Sequence, residues 1–144
     1  MTREAIVAEA RRWIGTPYMH QASARGAGCD CLGLLRGVWR TMYGAEPQAI
    51  PPYTRDWDEV AGEEVLAEAA RLHLQEKPVG GIAPGDVLLF RMRAVSPAKH
   101  LGIVSDAEGG RFIHAYSGHG VVESSLSAPW RRRVSSVFAF PGLI

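Results

Sequence analysis

Apolar residues recur at helical spacing in the first half of this chain and alternate with polar ones in the second half. Residues 3–14 set Ile6, Ala10 and Trp13 on one helical face, with Thr2 where an N-cap belongs. Residues 15–30 carry Gly15, Pro17, Gly26 and Gly28 and read as loop. A second helix is expected over 31–43, with Cys31, Leu35, Val38 and Met42 as its stripe and Gly44 as its stop. Residues 45–56 hold Pro47, Pro51 and Pro52 and read as loop. A third helical stretch is expected over 58–76, with Val65, Ala69 and Leu72 on one face and Gly62 weakening its first turns. After Gly80 and Gly81 the pattern changes, and strands are expected at 86–92, 101–106, 111–116, 121–124 and 134–140. Helices first and strands afterwards, joined by turns such as Glu108-Gly109-Gly110, predict an α+β fold with a mainly antiparallel β-sheet.

Length and composition narrow this picture. At 144 residues, one domain over 1–144 is expected. Sixteen basic against fifteen acidic residues leave a net charge of +1, which argues against nucleic-acid binding. Arg131-Arg132-Arg133 is expected to be a solvated strand or turn. No apolar run approaches the length of a membrane span, so no membrane anchor is expected. The first ten residues contain Glu4 and Glu9 and read as an amphipathic helix rather than a signal peptide. Synthesis in the cytoplasm without an export route of its own is therefore expected.

Residues 26–35, Gly-Ala-Gly-Cys-Asp-Cys-Leu-Gly-Leu-Leu, carry the candidate chemistry. Asp30 stands at the N-cap of the second helix, where its carboxylate can accept first-turn N–H groups. Cys31 follows in the first turn, at the positive end of the helix dipole, which favours thiolate. A base must come from elsewhere. His100 opens a strand, and His114 shares a strand face with Phe112 and Tyr116. In this reading His100 takes the proton of Cys31, and His114 holds the other ring nitrogen of His100 and fixes its tautomer. His119, in the turn Ser117-Gly-His-Gly120, is the rival for that third place. His20 is expected at the surface, with the cleft mouth as its other reading, and His73 on a polar helix face. Two cysteines are too few for a disulfide framework, and a bridge across one residue would be strained. Cys29 is expected as a free thiol beside Cys31, with reversible oxidative blocking as the alternative. Cys29, Cys31, His100 and His114 are the residue types of a zinc site, but Cys-x-Cys lacks the usual knuckle spacing. No metal and no cofactor are expected.

These segments together resemble the NlpC-type cell-wall cysteine peptidases, which have a reduced papain-like fold. Gly15-Thr-Pro-Tyr18 is similar to the family's Gly-x-Pro-Tyr, and Gly28-Cys-Asp-Cys-Leu-Gly33 to its Asp-Cys-Ser-Gly box. Pro84-Gly-Asp-Val, His100-Leu-Gly-Ile-Val and Phe112-Ile-His-Ala resemble its later strands, in order. The resemblance runs from about Thr2 to the strand near Phe140. It implies Cys31 as nucleophile, His100 as general base and His114 as the orienting residue. It further implies that the Tyr18 hydroxyl joins the Cys31 backbone N–H at the oxyanion site, and that Asp30 takes part in recognising a substrate amine. The implied substrate is the bond between γ-D-glutamate and a diamino acid in peptidoglycan stem peptides. Leu32 replaces the box serine, so a hydrogen bond from that serine is missing and the exact peptide preference is open.

The chain resembles in particular the short peptidases encoded with phage tails and gene transfer agents, which share an insert like Pro51-Pro-Tyr-Thr-Arg-Asp-Trp57. That resemblance implies a component of a phage-like tail, partnered by tail hub or baseplate proteins, that opens the wall for DNA delivery. Ile50, Tyr53 and Trp57 in segment 49–57 are the expected docking groups, or else a lid or core element. The alternatives are a structural tail-tip component with vestigial catalysis, and a thioester-forming amidase or acyltransferase on the same scaffold.

Overall fold

The computed structural model describes residues 1–47, 65–92, 100–106, 108 and 110–143. Helix α1 (Arg3–Arg11) begins as expected, with Thr2 Oγ1 accepting from the Ala5 N–H at 3.1 Å. Two short strands follow, β1 (Ser23–Ala24) and β2 (Gly28–Cys29), paired antiparallel inside what reads from sequence as loop. Helix α2 (Cys31–Tyr43) ends at Gly44, as its pattern predicts. Gly33, Leu34, Gly37 and Val38 are buried; of the predicted stripe Val38 is fully buried, and Cys31, Leu35 and Met42 pack partly buried against the same core. Glu9, buried between α1 and α2, accepts from Trp13 Nε1 at 3.0 Å and Thr41 Oγ1 at 3.3 Å and ties the two helices together.

Helix α3 (Val65–His73) covers the later part of the third predicted helix; residues 58–64 of that expectation lie outside the described residues, as does segment 49–57. Two details differ from the pattern. Leu66, Ala67, Ala70 and Leu74 are buried, while Leu72 is 76% exposed. The helix also stops short of 76, because Gln75–Lys77 forms strand β3 and pairs with the last strand. Edge pairing outweighs helix propensity over these three residues.

The strand half follows the alternation closely: β4 (Val87–Phe90), β5 (His100–Val104), β6 (Arg111–Tyr116), β7 (Gly120–Ser125) and β8 (Val134–Ala139). They form a six-stranded sheet in the order β3-β8-β4-β5-β6-β7, every neighbouring pair antiparallel. A short helix, α4 (Ala128–Arg133), precedes β8. Sequence reading placed a strand or turn at Arg131–Arg133; Pro129 in the first turn starts a helix there instead, and the three arginines are exposed. The fold is thus α+β with a mainly antiparallel sheet.

Each face of the sheet has its own apolar layer. Leu89, Leu101, Ile103, Ile113 and Phe138 pack against α1, α2 and α3. Leu88, Phe90, Val104, Phe112 and Val137 face the other way, covered by Leu126 and the Trp130 ring of α4. No helix of the described residues is long and apolar enough to cross a membrane.

Candidate active site

The α2 entrance is set by backbone hydrogen bonds. Asp30 is the N-cap, extended in backbone and buried. Its Oδ1 accepts from the Gly33 N–H at 2.7 Å, and its Oδ2 accepts from the Gln21 N–H at 2.8 Å. His20 Nδ1 lies 3.9 Å from the same Oδ2. Gly33 is required by close approach: a Cβ there would stand 1.8 Å from the Ala22 carbonyl oxygen. Ser23 Oγ donates to the Gly33 carbonyl at 2.6 Å, and Arg40 Nη2 donates to the Ser23 carbonyl at 2.7 Å. The 19–29 loop is thereby fastened along α2. A parallel bridge joins Tyr18 to Cys29, two residues before Cys31, so the Tyr18 backbone flanks the helix entrance.

Cys31 occupies the first helical position and is half-buried. Its sulfur is hydrogen-bonded by the backbone N–H groups of Leu101 and Leu32. Burial, and after it the Asp30 charge, nonetheless pushes the thiol up to about 12. The helix start was expected to favour thiolate; burial outweighs that effect, so the resting group is a thiol. Cys29 is a free, fully buried thiol, also pushed up to about 12 by burial.

The Leu101 contact brings this sulfur to the start of β5, next to His100. β5 pairs with β6 through Ile103↔Ile113 and Val104↔Phe112. Nearer the start of β5, the Leu101 N–H turns to the sulfur, one residue from His100. His100 Nε2 and His114 Nδ1 are 2.9 Å apart. His114 Nε2 is 3.0 Å from Ser124 Oγ. His114 is only 1% exposed, packed on Phe112 at 4.2 Å between ring centroids and edge-on to Trp130 at 5.1 Å. Burial, with the neighbouring His114, brings His100 down to about 3; burial, with His119, brings His114 down to about 4. Both imidazoles are neutral at pH 7.

A profile of the NlpC/P60 family matches residues 15–138, a span that contains Cys31, His100 and His114. The chain belongs to the NlpC/P60 family. Among its relatives is the gamma-DL-glutamyl hydrolase of Bacillus subtilis (strain 168), 30% identical over 139 residues, which cover 96% of this chain and 29% of that protein. Another is the murein DD-endopeptidase MepS/murein LD-carboxypeptidase of Escherichia coli O157:H7, 30% identical over 122 residues, 84% of this chain and 54% of that one. The chain thus spans about half or less of these relatives. The crystal structure of the NlpC/p60 domain of the peptidoglycan hydrolase SagA superposes with a TM-score of 0.68 at 26% identity, covering 97% of this chain and all of that domain.

Within this NlpC/P60 domain the residues singled out in the sequence fall into three groups. His100 and His114 stand on neighbouring strands with their rings hydrogen-bonded, and the Cys31 sulfur meets the Leu101 N–H, one residue from His100. Asp30 and Tyr18 lie at the α2 entrance, with both Asp30 oxygens accepting backbone N–H groups. His119 is exposed and stacks on Tyr116 at 5.1 Å, and the ring bonded to His100 is His114. Among the described residues, no group of three or more His, Cys, Asp or Glu side chains is arranged to hold a metal ion.

Sequence reading missed Gly102, Ser124 and Trp130. A Cβ on Gly102 would meet the Phe112 ring at 2.7 Å and His114 Cβ at 3.2 Å, so the glycine leaves room for His114 beside His100. Ser124 had a findable signal. His114↔Val122 register in the β6–β7 hairpin puts Ser124 opposite Phe112, diagonal to His114 on one face.

Proposed function

We propose that this chain is a cysteine peptidase that hydrolyses the γ-D-glutamyl–diamino acid bond of peptidoglycan stem peptides. The observation that carries the reading is the His100–His114 hydrogen bond on a strand whose Leu101 N–H meets the sulfur of a cysteine at the head of a helix. The activities named for the two relatives, a gamma-DL-glutamyl hydrolase and a murein endopeptidase, support the substrate class.

Chemistry starts from the neutral pair. With Nε2 of His100 engaged by His114, Nδ1 is the nitrogen that serves the thiol. As the sulfur attacks the γ-glutamyl carbonyl, the thiol proton passes to Nδ1. The Cys31 N–H and the Tyr18 hydroxyl stabilise the oxyanion. When the intermediate collapses, Nδ1 protonates the departing amine of the diamino acid and a thioester remains on Cys31. Water then attacks the thioester, giving its proton to Nδ1, which returns it to the sulfur as the acid product leaves. Asp30 holds the helix start and, through its Oδ2 edge beside His20, is offered as the group near the substrate amine.

The reading extends to delivery. We infer that the protein works in the distal tail of a phage-like particle, where it opens the wall for DNA entry. The resemblance of the whole chain, insert 51–57 included, to short tail-associated peptidases supports this. Gradient-purified particles should contain a few copies of the protein, and its absence from them would remove the delivery part alone.

The chemistry is tested with a soluble stem peptide and hydroxylamine. A thioester intermediate is intercepted as the γ-glutamyl hydroxamate, with the free diamino acid released alongside. Neither product from wild-type protein would overturn the reading.

A further inference from the structure

The His100–His114–Ser124 chain contains two hydrogen bonds whose directions the distances leave open. The chemistry decides them, and it does so from the Ser124 end. We propose that Ser124 is a positioning residue that selects the working tautomer of both histidines by accepting a hydrogen bond from His114. The proposal rests on the cysteine-peptidase reading above and adds a residue to it.

A neutral imidazole carries one proton, so each ring is a donor at one nitrogen and an acceptor at the other. For His100 to take a proton at Nδ1, its own proton must sit on Nε2. That N–H then donates to His114 Nδ1, which must be unprotonated. His114 therefore carries its proton on Nε2, aimed at Ser124 Oγ 3.0 Å away. The serine oxygen accepts it. Ser124 is half-buried, so its own hydroxyl proton can turn towards solvent while its oxygen faces the ring.

The opposite arrangement is equally well hydrogen-bonded and chemically idle. If Ser124 donates to His114 Nε2, His114 holds its proton on Nδ1 and donates to His100 Nε2. The proton of His100 then sits on Nδ1, and the nitrogen that should accept from Cys31 is blocked. Burial of both rings in their neutral state makes the choice of tautomer, rather than charge, the variable that matters.

Surroundings give the serine this control. His114 is sealed by Phe112 and Trp130, neither of which offers an acceptor to Nε2–H. Without Ser124 Oγ, the idle tautomer leaves an unpaired ring acceptor, whereas the working one leaves an unpaired buried N–H donor. Buried N–H donors are the groups less often left orphaned. Removing the hydroxyl therefore tips the pair towards the idle arrangement.

The test combines spectroscopy with kinetics on the full chain. With ¹⁵N-labelled histidine at pH 7, wild type should show both His100 and His114 protonated on Nε2. Ser124→Ala should move His114 towards Nδ1–H, and His100 with it. On a soluble γ-D-glutamyl stem peptide, Ser124→Ala should lose about tenfold in kcat with KM unchanged, and Ser124→Thr should restore both tautomer and kcat. Unchanged tautomers in Ser124→Ala, or unchanged kcat, would overturn the proposal. Wild-type turnover equal to that of Cys31→Ala would instead sink the cysteine-peptidase reading, and the tautomer readings would still stand or fall by themselves.

Discussion

The two halves of the site are held by different physics. Cys31 is fixed from the helix side by contacts to the main chain: the Asp30 carboxylate on the Gly33 and Gln21 N–H groups, the Ala22 carbonyl against Gly33, and the Leu101 N–H on its sulfur. His100 and His114 are fixed from the other face of the sheet by side chains: each other, Ser124, and the Phe90, Phe112 and Trp130 rings. The nucleophile half therefore has no room for an added carbon at Gly33. The base half can absorb small shifts in position but depends on which ring nitrogen carries a proton.

Adding one carbon to each half sharpens the contrast. Gly33→Ala puts a methyl 1.8 Å from a carbonyl oxygen in a loop fastened at both sides, so the helix start must move. An ångström of misplacement there should cost activity on the order of a hundredfold or more. Gly102→Ala meets the Phe112 ring at 2.7 Å, the Ile113 carbonyl oxygen at 3.1 Å and His114 Cβ at 3.2 Å, a milder clash than 1.8 Å against a carbonyl oxygen. Its loss of kcat should be smaller and should come with a change in histidine tautomer. Equal losses from the two substitutions, read by kcat on the same peptide, would erase the distinction.

Stability should also separate the halves. Leu34 is fully buried on the inner face of α2, and Leu34→Ala should cost about 2–5 kcal/mol in urea unfolding. Asp30→Ala removes the cap and leaves the Gly33 and Gln21 N–H groups without their acceptor, for about 1–2 kcal/mol. The histidine half should show itself through pH. Unfolded imidazoles bind protons below about pH 6.5. Folded His114 and His100 stay neutral down to about 4 and about 3. Their share of stability is thus complete above pH 6.5 and lost as pH falls from there through 4 towards 3, with proton uptake on unfolding. His114→Gln should flatten that slope, as measured by unfolding at pH 7.5, 5.5 and 4.5. The thiol pushed up to about 12 makes the matching statement for Cys31. Alkylation at Cys31 should rise about tenfold per pH unit between 7 and 10, whereas a plateau would mean that the thiolate is already formed. Leu72→Ala, on the exposed side of α3, should stay within about 0.5 kcal/mol of wild type.

The same contrast governs what was legible in the sequence. Tight turns and short runs rich in apolar and β-branched residues mark β5 to β8, because a sheet covered on both faces draws apolar side chains to both. Asp30 followed by Cys31 is visible because capping is local chemistry. What is not local was missed. β3 looks helical until β8 supplies its partner. The close approach of the Ala22 carbonyl to Gly33 and of the Trp13 ring to Gly37 on α2 is recorded by no stripe of apolar residues. The resting state of Cys31 depends on burial under β5, 70 residues further along the chain, and Ser124 becomes meaningful only once the hairpin register lays it diagonal to His114.

The central claim, that Cys31 and His100 act together on the peptide of the wall, is most directly tested by one digestion. Wild type, Cys31→Ala and His100→Ala, each verified as folded by circular dichroism, are incubated with the same purified peptidoglycan, and released fragments are identified by mass. Wild type should release peptides that begin at the diamino acid and leave chains ending in γ-D-glutamate, with both variants at the level of buffer. Equal release of these fragments by Cys31→Ala would contradict the account.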